Sequence, residues 1–149
     1  MEQPSNSQRS KLLCKIYPLS TLSDYKFVVI CSRFEEKWLL SKHKKRSTWE
    51  TQGGHIEDGE TPMQAAEREL FEESGVSDAS LYPVCDYVGY DEFGSAAGVV
   101  FLADIHALGR LPESEMKEIG LFDPLPKELT YPNVTPKLMS EAEKILSNI

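Results

Sequence analysis

The stretch that decides the fold is residues 54–76, which read GHIEDGETPMQAAERELFEESGV. Its middle carries the signals of a helix start. Thr61 can cap the helix, Pro62 suits the first helical position, and Gln64 completes a T-x-x-Q capping box. Gly75 then supplies the left-handed residue that commonly ends a helix. The pattern therefore predicts a helix that begins at Pro62 and ends just before Gly75.

The segment in front of this helix, residues 51–59, contains three glycines with charged residues between them. Glycine clusters of this kind mark loops, so we predict a loop here. Gly53 and Gly54 allow backbone conformations that are closed to other residues, and they let main-chain carbonyl groups approach a metal ion. The predicted loop therefore has the properties of a ligand-binding segment.

Three glutamates of the predicted helix share one face. Glu69, Glu72 and Glu73 are spaced i, i+3 and i+4, so their carboxylates project in the same direction. Like charges at this spacing repel by roughly a few tenths of a kcal/mol per pair, which a sequence selected for stability alone would avoid. The face is either a solvated acidic surface or a carboxylate cluster for Mg²⁺ or Mn²⁺, which prefer oxygen ligands. An adjacent apolar stripe is able to face the core: Met63, Ala66 and Leu70.

Loop and helix together match a longer pattern, G-x5-E-x7-R-E-U-x-E-E-x-G-U, in which U is a bulky aliphatic residue. Every defined position is matched, by Gly54, Glu60, Arg68, Glu69, Leu70, Glu72, Glu73, Gly75 and Val76. This pattern is the signature of the Nudix hydrolases. The chain therefore resembles that family, and the match favours the metal-binding interpretation of the acidic face.

The resemblance implies a fold and an activity. The fold expected for residues 11–149 is of the α/β class, an α/β/α sandwich with a central mixed β-sheet. The expected reaction is Mg²⁺-dependent hydrolysis, with Mn²⁺ as a substitute, of a diphosphate bond in a nucleoside diphosphate linked to another group. An (oxidised) nucleoside triphosphate is one such substrate. Metal ions would neutralise the charge around the phosphorus, and a carboxylate would take the proton of the attacking water.

The resemblance also implies roles for the glutamates. Glu72 and Glu73 correspond to the principal metal-binding residues of the family. Glu69 corresponds to a residue that serves as a metal ligand or as the general base, depending on the member. Gly54 would contribute a main-chain carbonyl to the metal.

Other charged residues have supporting roles by the same resemblance. Arg68 is expected to hold the loop in shape, together with Glu60, through a salt bridge within the signature. Family members often add a later acidic ligand from outside the signature. Glu113, Glu115 and Glu118 lie in the right region of the chain, and of these the last two are preferred; a plain surface glutamate is the alternative for each.

The rest of the chain supplies the other expected elements. Residues 1–10 are polar and predict a flexible N-terminal tail. Alternating or apolar runs predict strands, and a 3.6-residue periodicity predicts a final amphipathic helix. The strands are expected at residues 11–19, 25–34, 37–42, 80–90, 97–107 and 116–122, and the helix at 135–146.

Three features near the loop bear on the substrate. The basic run at residues 42–46 either faces a substrate phosphate or is a solvated hairpin end. Trp49 is expected to pack under the loop, with stacking on a base as the alternative. Gln52 stands where members of the family commonly have proline, so the geometry of the loop is open at this point.

Composition limits the partners. The chain has 149 residues, which indicates one domain, and a formal net charge of −8. This charge argues against a nucleic-acid polymer as partner, because phosphate binding needs a basic face. A small diphosphate or nucleotide remains possible when a divalent cation intervenes. No apolar run approaches the roughly 20 residues of a membrane span, so no membrane association is expected.

Cysteine usage indicates the compartment. Cys14, Cys31 and Cys85 are an odd number, widely spaced, and set among apolar residues. Buried free thiols in a reducing cytoplasm are therefore expected. A homodimer is possible, since homodimers are frequent in the family.

Two other functions remain open on the same fold. Isopentenyl-diphosphate isomerase chemistry would need a catalytic cysteine–glutamate arrangement, and Cys31 and Cys85 lie in no supporting motif. A non-catalytic module that senses a nucleotide is the second alternative. Such modules frequently lose signature carboxylates, and none is missing here.

Overall fold

The computed structural model describes residues 6–149, which form one mixed β-sheet with helices against it. The elements in chain order are α1 (Asn6–Lys11), β1 (Leu13–Tyr17), β2 (Phe27–Phe34), β3 (Lys37–His43), β4 (Trp49–Glu50), β5 (Gln52–His55), α2 (Pro62–Ser74), β6 (Asp78–Asp91), β7 (Gly94–Ala107), β8 (Met116–Phe122) and α3 (Thr135–Leu146).

The sheet joins strands that are distant in the sequence. Its order is β1-β6-β7-β2-β3-β4, while β5 pairs with β2 and β8 pairs with β3. Strands β2 and β7 run parallel, with Val29 opposite Val100, whereas the other paired strands are antiparallel. The sheet is therefore mixed, as the sequence predicted.

Strand β2 explains how one sheet serves two hydrophobic cores. Successive side chains of a strand point to opposite faces. Val28 and Ile30 belong to the core under α2, whereas Cys31 and the partly buried Val29 belong to the core under α3. Both faces are covered, which is why this strand reads as a continuous apolar run. Full burial of such a side chain contributes about 1.5–3 kcal/mol.

The two longer helices complete the sandwich. Helix α2 buries Ala65, Ala66 and Leu70 against one face of the sheet. Helix α3 buries Leu138, Met139 and Ala142 against the other face. The expected α/β/α sandwich is therefore confirmed.

Helix α2 forms as its end signals predict. The Thr61 hydroxyl accepts a hydrogen bond from the Gln64 backbone at 3.1 Å, and the Gln64 side chain accepts one from the Thr61 backbone at 2.9 Å. Gly75 adopts a left-handed conformation with a φ of 83°. A Cβ atom at this glycine would also lie 2.2 Å from the carbonyl oxygen of Arg110. Conformation and space both require glycine here.

Most other predicted elements are confirmed. Strand β8 and helix α3 have the predicted bounds, and β3 exceeds its predicted span by one residue. The strands expected at 80–90 and 97–107 are longer than predicted, because β6 and β7 pair up to the turn between Asp91 and Gly94.

The predicted loop at residues 51–59 is wrong in its first half. Residues 52–55 form strand β5, in which Gly53 pairs with Val29 and Gly54 with Val28. Glycine is disfavoured in strands, so propensity gave no sign of this one. A Cβ atom at Gly53 would lie 2.5 Å from the Val28 carbonyl oxygen, so the close backbone approach needs glycine at this position.

The N-terminal segment also differs from expectation. Residues 1–5 of the predicted tail lie outside the described residues. Residues 6–11 form α1, whose Arg9 is only 8% exposed. The carbonyl oxygen of Ser10 accepts a hydrogen bond from the Asn133 side chain at 2.9 Å, which ties α1 to the segment before α3. A long-range contact of this kind leaves no local signal in the sequence.

The cysteines are buried, as their apolar surroundings predicted. Cys14, Cys31 and Cys85 are all buried and free. Burial raises the pKa of the Cys85 thiol to about 12. None of the helices in the described part of the chain is long and apolar enough to cross a membrane.

Gln52, the residue that departs from the family pattern, is fully buried and hydrogen-bonded on both sides of its amide. Its oxygen accepts from the Ser32 hydroxyl at 2.6 Å. Its nitrogen donates to the Leu39 carbonyl oxygen at 3.2 Å and to the Ser41 hydroxyl at 2.9 Å. Ser41 in turn donates to the carbonyl oxygen of Glu73 at 2.8 Å. The chain of bonds ties β2, β3 and β5 to the end of α2.

We expect Gln52→Ala to lower the free energy of unfolding by about 2–4 kcal/mol, because it creates a cavity and leaves buried polar groups unsatisfied. Gln64→Ala, at an exposed glutamine whose side chain closes the capping box, should cost only about 1 kcal/mol. Urea unfolding of both variants measures the difference. Equal losses would show that the buried network does not stabilise the sheet.

Candidate active site

The Arg68 side chain fastens the loop before α2 to the helix. Its Nε donates to Glu60 Oε2 at 2.7 Å, and its Nη2 donates to Glu60 Oε1 at 3.0 Å and to the His55 carbonyl oxygen at 3.0 Å. The hydrogen bond from Arg68, followed by one from the Glu57 backbone, lowers the pKa of Glu60 to about 2. The salt bridge expected within the signature is present, and it holds both ends of the loop.

Glu73 lies under the first of the two adjacent glycines. Its Oε1 accepts a hydrogen bond from the Gly53 backbone at 2.8 Å. The pKa of this carboxyl is raised to about 9, mainly by burial; the Gly53 hydrogen bond opposes the shift, and the charges of Glu69, Glu50 and Glu115 add to it. A nearby cation would therefore stabilise the ionised form of Glu73.

Glu69 and Glu72 differ in environment. The Glu69 side chain is 12% exposed and accepts a hydrogen bond from Arg68 Nη1 at 2.8 Å. Burial raises the pKa of Glu69, Arg68 opposes that shift, and Glu72 and Glu115 add to it. The Glu72 side chain is 51% exposed, and its Oε2 lies 3.4 Å from Arg68 Nη1. Glu72 is therefore the most exposed of the three carboxylates on this helix face.

The carboxylates face the same loop, but they do not converge on one point. Within residues 6–149, no three His, Cys, Asp or Glu side chains are arranged as a group that could hold a metal ion. Glu69 and Glu72 both form ion pairs with Arg68, whereas Glu73 accepts a hydrogen bond from the Gly53 N–H group. The expected convergence of all three side chains is therefore not what the structure shows, because each carboxylate has found a separate donor.

The residues around this face nevertheless fit a divalent cation. The available donors are carboxylate and carbonyl oxygens, which Mg²⁺ prefers. A Cβ atom at Gly54 would lie 2.6 Å from Glu69 Oε1, so the bare backbone at this position keeps the space beside that carboxylate open. Buried carboxylates with raised pKa values are also the electrostatic setting that a cation would relieve.

A cavity of about 780 Å³ opens directly onto the glycines of β5. Its lining includes Gly53 and Gly54, the start of α3 at Thr135, the buried Tyr87 of β6, and Arg9 of α1. Ligand sites of drug-sized molecules have volumes of about 300–1,000 Å³. The cavity, hereafter the cleft, is therefore large enough for a nucleotide.

The basic run at residues 42–46 divides between the surface and the cleft. Lys42 lies 3.4 Å from Glu118, and Lys44 forms an ion pair with Glu113 at 2.5 Å. Of this run, only Arg46 lines the cleft among the described residues. The hairpin-end interpretation therefore holds for the two paired lysines.

Trp49 packs as expected. Its ring contacts the Phe122 ring edge-on at a centroid distance of 4.8 Å, and the Lys42 ammonium lies 4.4 Å from its centroid. These contacts with β8 and β3 support a packing role for Trp49.

Among the later acids, Glu115 lies nearer to the signature than Glu118 does. Its charge raises the pKa of Glu69 and of Glu73, and its Oε2 lies 3.6 Å from His43 Nε2. Glu118 acts on neither of these carboxyl groups and pairs with Lys42 instead. The structure therefore brings Glu115 toward the cluster and leaves Glu118 outside it.

Sequence reasoning missed a polar group in the wall of the cleft. Glu50 is buried and accepts hydrogen bonds from Arg46 Nη1 at 2.7 Å and from the Thr130 hydroxyl at 3.0 Å. Thr130 also shares a hydrogen bond with the Thr48 hydroxyl at 2.6 Å. The only local hint was the i, i+4 spacing of Arg46 and Glu50; their partner Thr130 is 80 residues further along the chain.

Comparison with known proteins places this chain in a family. A family model described as the NUDIX domain matches residues 24–136. The chain therefore belongs to the Nudix hydrolase family.

Two curated proteins are similar to this chain over most of its length. The chain is 30% identical over 115 residues to an RNA pyrophosphohydrolase of a Sulfurovum species, covering 70% of this chain and 72% of that protein. It is 38% identical over 107 residues to a putative 8-oxo-dGTP diphosphatase of Bacillus subtilis, covering 68% of this chain and 64% of that protein. The chain covers less than two thirds of the length of several curated relatives that it matches.

One solved structure is similar over most of the chain. It is a mutant of a Bacillus subtilis pyrophosphohydrolase, which superposes with a TM-score of 0.76 at 26% identity. The superposition covers 88% of this chain and 90% of that one. The mixed sheet and its flanking helices are therefore the fold of the family.

We expect Gly54→Ala to leave the fold stable but to lower diphosphate hydrolysis by about a hundredfold, because the new methyl group must displace the flexible Glu69 carboxylate from its place. Gly53→Ala is the matched contrast, since its methyl group would meet the rigid Val28 backbone and should destabilise the protein by about 1–3 kcal/mol. Thermal unfolding and initial rates separate the two effects. Full activity in the Gly54 variant would contradict the assigned position of Glu69.

Proposed function

We propose that this chain is a Mg²⁺-dependent pyrophosphohydrolase that cleaves a diphosphate bond in a nucleoside polyphosphate. The observation that carries the proposal is the placement of Glu69 and Glu73 against the Gly53–Gly54 backbone at the edge of the cleft. This placement combines half-buried carboxylates, close backbone and an adjoining cavity.

The residues that would hold the cation are Glu69, Glu72, Glu73 and the carbonyl group of Gly54. A divalent cation bound there supplies positive charge to the phosphoryl oxygens and lowers the pKa of a coordinated water. Mg²⁺ is the proposed ion and Mn²⁺ a substitute, because both accept an all-oxygen ligand set.

The protein's own groups perform the remaining work. A water oxygen forms a bond to phosphorus while the bridging P–O bond breaks, and the proton of the water passes to a carboxylate. Glu69 suits the base role because burial raises its pKa toward neutrality. Arg68 holds Glu69 and the loop in register through Glu60 and the His55 carbonyl group. It is a positioning residue, since its donors are engaged within the protein.

The substrate class follows from the cleft and from the relatives. A nucleoside triphosphate, including an oxidised one, is the first candidate, and a curated relative is named a putative 8-oxo-dGTP diphosphatase. The 5′-triphosphate end of RNA is the second candidate, since other relatives are named RNA pyrophosphohydrolases. With a net charge of −8, the chain would engage only the end of such a strand and not its length.

The competing functions find less support. Isomerase chemistry requires an accessible cysteine, whereas Cys31 is fully buried and burial raises its pKa far above neutrality. A non-catalytic sensor would not need the complete carboxylate set. The buried free thiols support a reducing compartment such as the cytoplasm. A homodimer is part of the proposal only by analogy with the family.

We expect Glu73→Gln to abolish turnover with little change in unfolding temperature, because it removes a carboxylate and keeps the side-chain volume. Glu67→Gln is the matched control, since Glu67 is an exposed glutamate of the same helix. The measurement is phosphate release from a nucleotide panel with Mg²⁺ and a coupled phosphatase, and chelation with EDTA should stop the wild-type reaction. Equal rates for the Glu73 variant and the wild type would refute the proposed function.

A second prediction concerns the later acids. Glu115→Gln should lower the rate about tenfold or more and weaken Mn²⁺ binding, because its charge acts on the carboxylate cluster. Glu118→Gln should leave both quantities unchanged, since that residue pairs with Lys42. Initial rates and Mn²⁺ titration followed by electron paramagnetic resonance compare the two variants. The reverse order would assign the outer ligand to Glu118.

A further inference from the structure

Two arginines line the cleft, whereas the signature carboxylates lie beside it and not in its lining. Arg9 of α1 and Arg46 of the β3–β4 connection both line the cleft, together with Glu50. Arg9 is 8% exposed, and the side chains of Arg46 and Glu50 are each 10% exposed. Three charged groups are thus withdrawn from solvent in one part of a binding cavity.

The two arginines belong to one electrostatic group. Burial raises the pKa of the nearby Tyr131 phenol and Glu50 raises it further, while Arg9, Arg46 and a hydrogen bond from Arg9 oppose the shift. Both guanidinium groups also lower the pKa of His43, in addition to the effect of its burial. Positive charge from two distant segments of the chain therefore acts on the same small region.

The charges of this group do not balance within the described residues. Arg46 forms an ion pair with Glu50 at 2.7 Å. None of the ion pairs within residues 6–149 involves Arg9, which forms a hydrogen bond with the Tyr131 hydroxyl group. In this part of the wall two guanidinium groups face one carboxylate, since Asp91, the other carboxylate that lines the cleft, accepts a hydrogen bond from the Phe93 backbone at the β6–β7 turn. Burying such a charge is costly unless an anion completes it.

We propose that Arg9 and Arg46 form a phosphate subsite in the cleft, which binds a phosphate group that the substrate carries in addition to the scissile diphosphate. Guanidinium groups bind phosphate through paired hydrogen bonds, and a partly desolvated site strengthens such bonds. The subsite rests on the proposed function, because it assumes that the diphosphate lies at the carboxylate face of α2, which meets the cleft at Gly53 and Gly54.

The proposal narrows the substrate class. A mononucleoside triphosphate has no phosphate outside its polyphosphate chain, whereas two other kinds of substrate do. One is a nucleotide with a second phosphate monoester on its ribose. The other is a 5′-phosphorylated oligonucleotide, whose first internucleotide linkage is a phosphodiester. Both present the anion that the two arginines would recognise, and the experiment must separate them.

Binding in the presence of EDTA tests the subsite without turnover and without the cation. Isothermal titration compares three ligands with the same base: a nucleoside 5′-monophosphate, the nucleoside 3′,5′-bisphosphate, and the 5′-phosphorylated dinucleotide. We expect the wild type to bind at least one of the two larger ligands about tenfold more tightly than the monophosphate. Preference for the bisphosphate indicates a monoester substrate, and preference for the dinucleotide indicates an oligonucleotide end.

Variants assign the effect to the arginines. Arg9→Ala should abolish the preference and leave binding of the monophosphate unchanged, whereas Arg9→Lys should retain part of it. Arg46→Lys is used in place of alanine, because removal of its charge would leave Glu50 buried without a partner. Lys45→Ala is the matched control, since it removes one positive charge from an exposed position beside Arg46. Thermal unfolding verifies that each variant is folded.

Three outcomes would overturn the subsite: no preference in the wild type, a preference that survives in Arg9→Ala, or an equal loss in Lys45→Ala. Failure of the subsite and failure of the proposed function give different results. A missing preference beside hydrolysis that depends on Glu73 refutes only the subsite. A preference that depends on Arg9, found in a protein that hydrolyses none of the panel, refutes only the hydrolase and leaves a phosphate-binding cleft.

Discussion

The Arg68 guanidinium is the interaction on which the site depends. Its donors reach Glu60, the His55 carbonyl oxygen and Glu69, so one side chain links the strand end, the loop and the helix. The guanidinium is planar and has five donors in a fixed fork, so it binds Glu60 with two parallel hydrogen bonds and still reaches the other two partners; a lysine ammonium lacks this geometry. The loop between β5 and α2 contains exposed residues and a left-handed Gly59, and this side chain gives it a defined shape. Because the loop is held, the backbone of Gly53 and Gly54 stays beside the carboxylates.

Charge is unevenly distributed around the glycines of β5. The face of α2 beside them carries Glu69, Glu72 and Glu73, and burial is the main cause that raises the pKa values of the first and the last of these carboxyl groups. The cleft on which the same glycines open is lined by Arg9 and Arg46, with Glu50 paired to Arg46. An overall charge of −8 therefore says little about the cleft itself, because local groups rather than the total decide what binds there.

The departure at Gln52 shows how the same fold can be supported by different means. A proline at this position would have no N–H group and no side-chain amide. Here the amide joins Ser32, the Leu39 carbonyl group and Ser41 in a buried network. The network ends at the carbonyl group of Glu73, so it also supports the last turn of α2, where the signature carboxylates lie. Fully satisfied polar networks of this kind rigidify a core.

The features that could be predicted from the sequence are those that depend on residues close together in the chain. Helix α2 was predictable because Thr61, Gln64 and Gly75 satisfy its ends locally, and the signature predicted the family because its positions lie within one loop and one helix. Strand β2 was predictable because burial on both faces leaves an unbroken apolar run.

Only the tertiary structure decided the rest. It placed the glycines of β5 in the sheet, turned Arg68 toward three partners at once, and brought Arg9, Arg46 and Tyr131 into one wall of the cleft. These contacts join segments separated by tens of residues, so no local sequence pattern predicts them. They are stabilised by burial and charge, which arise only when the segments come together in the folded chain.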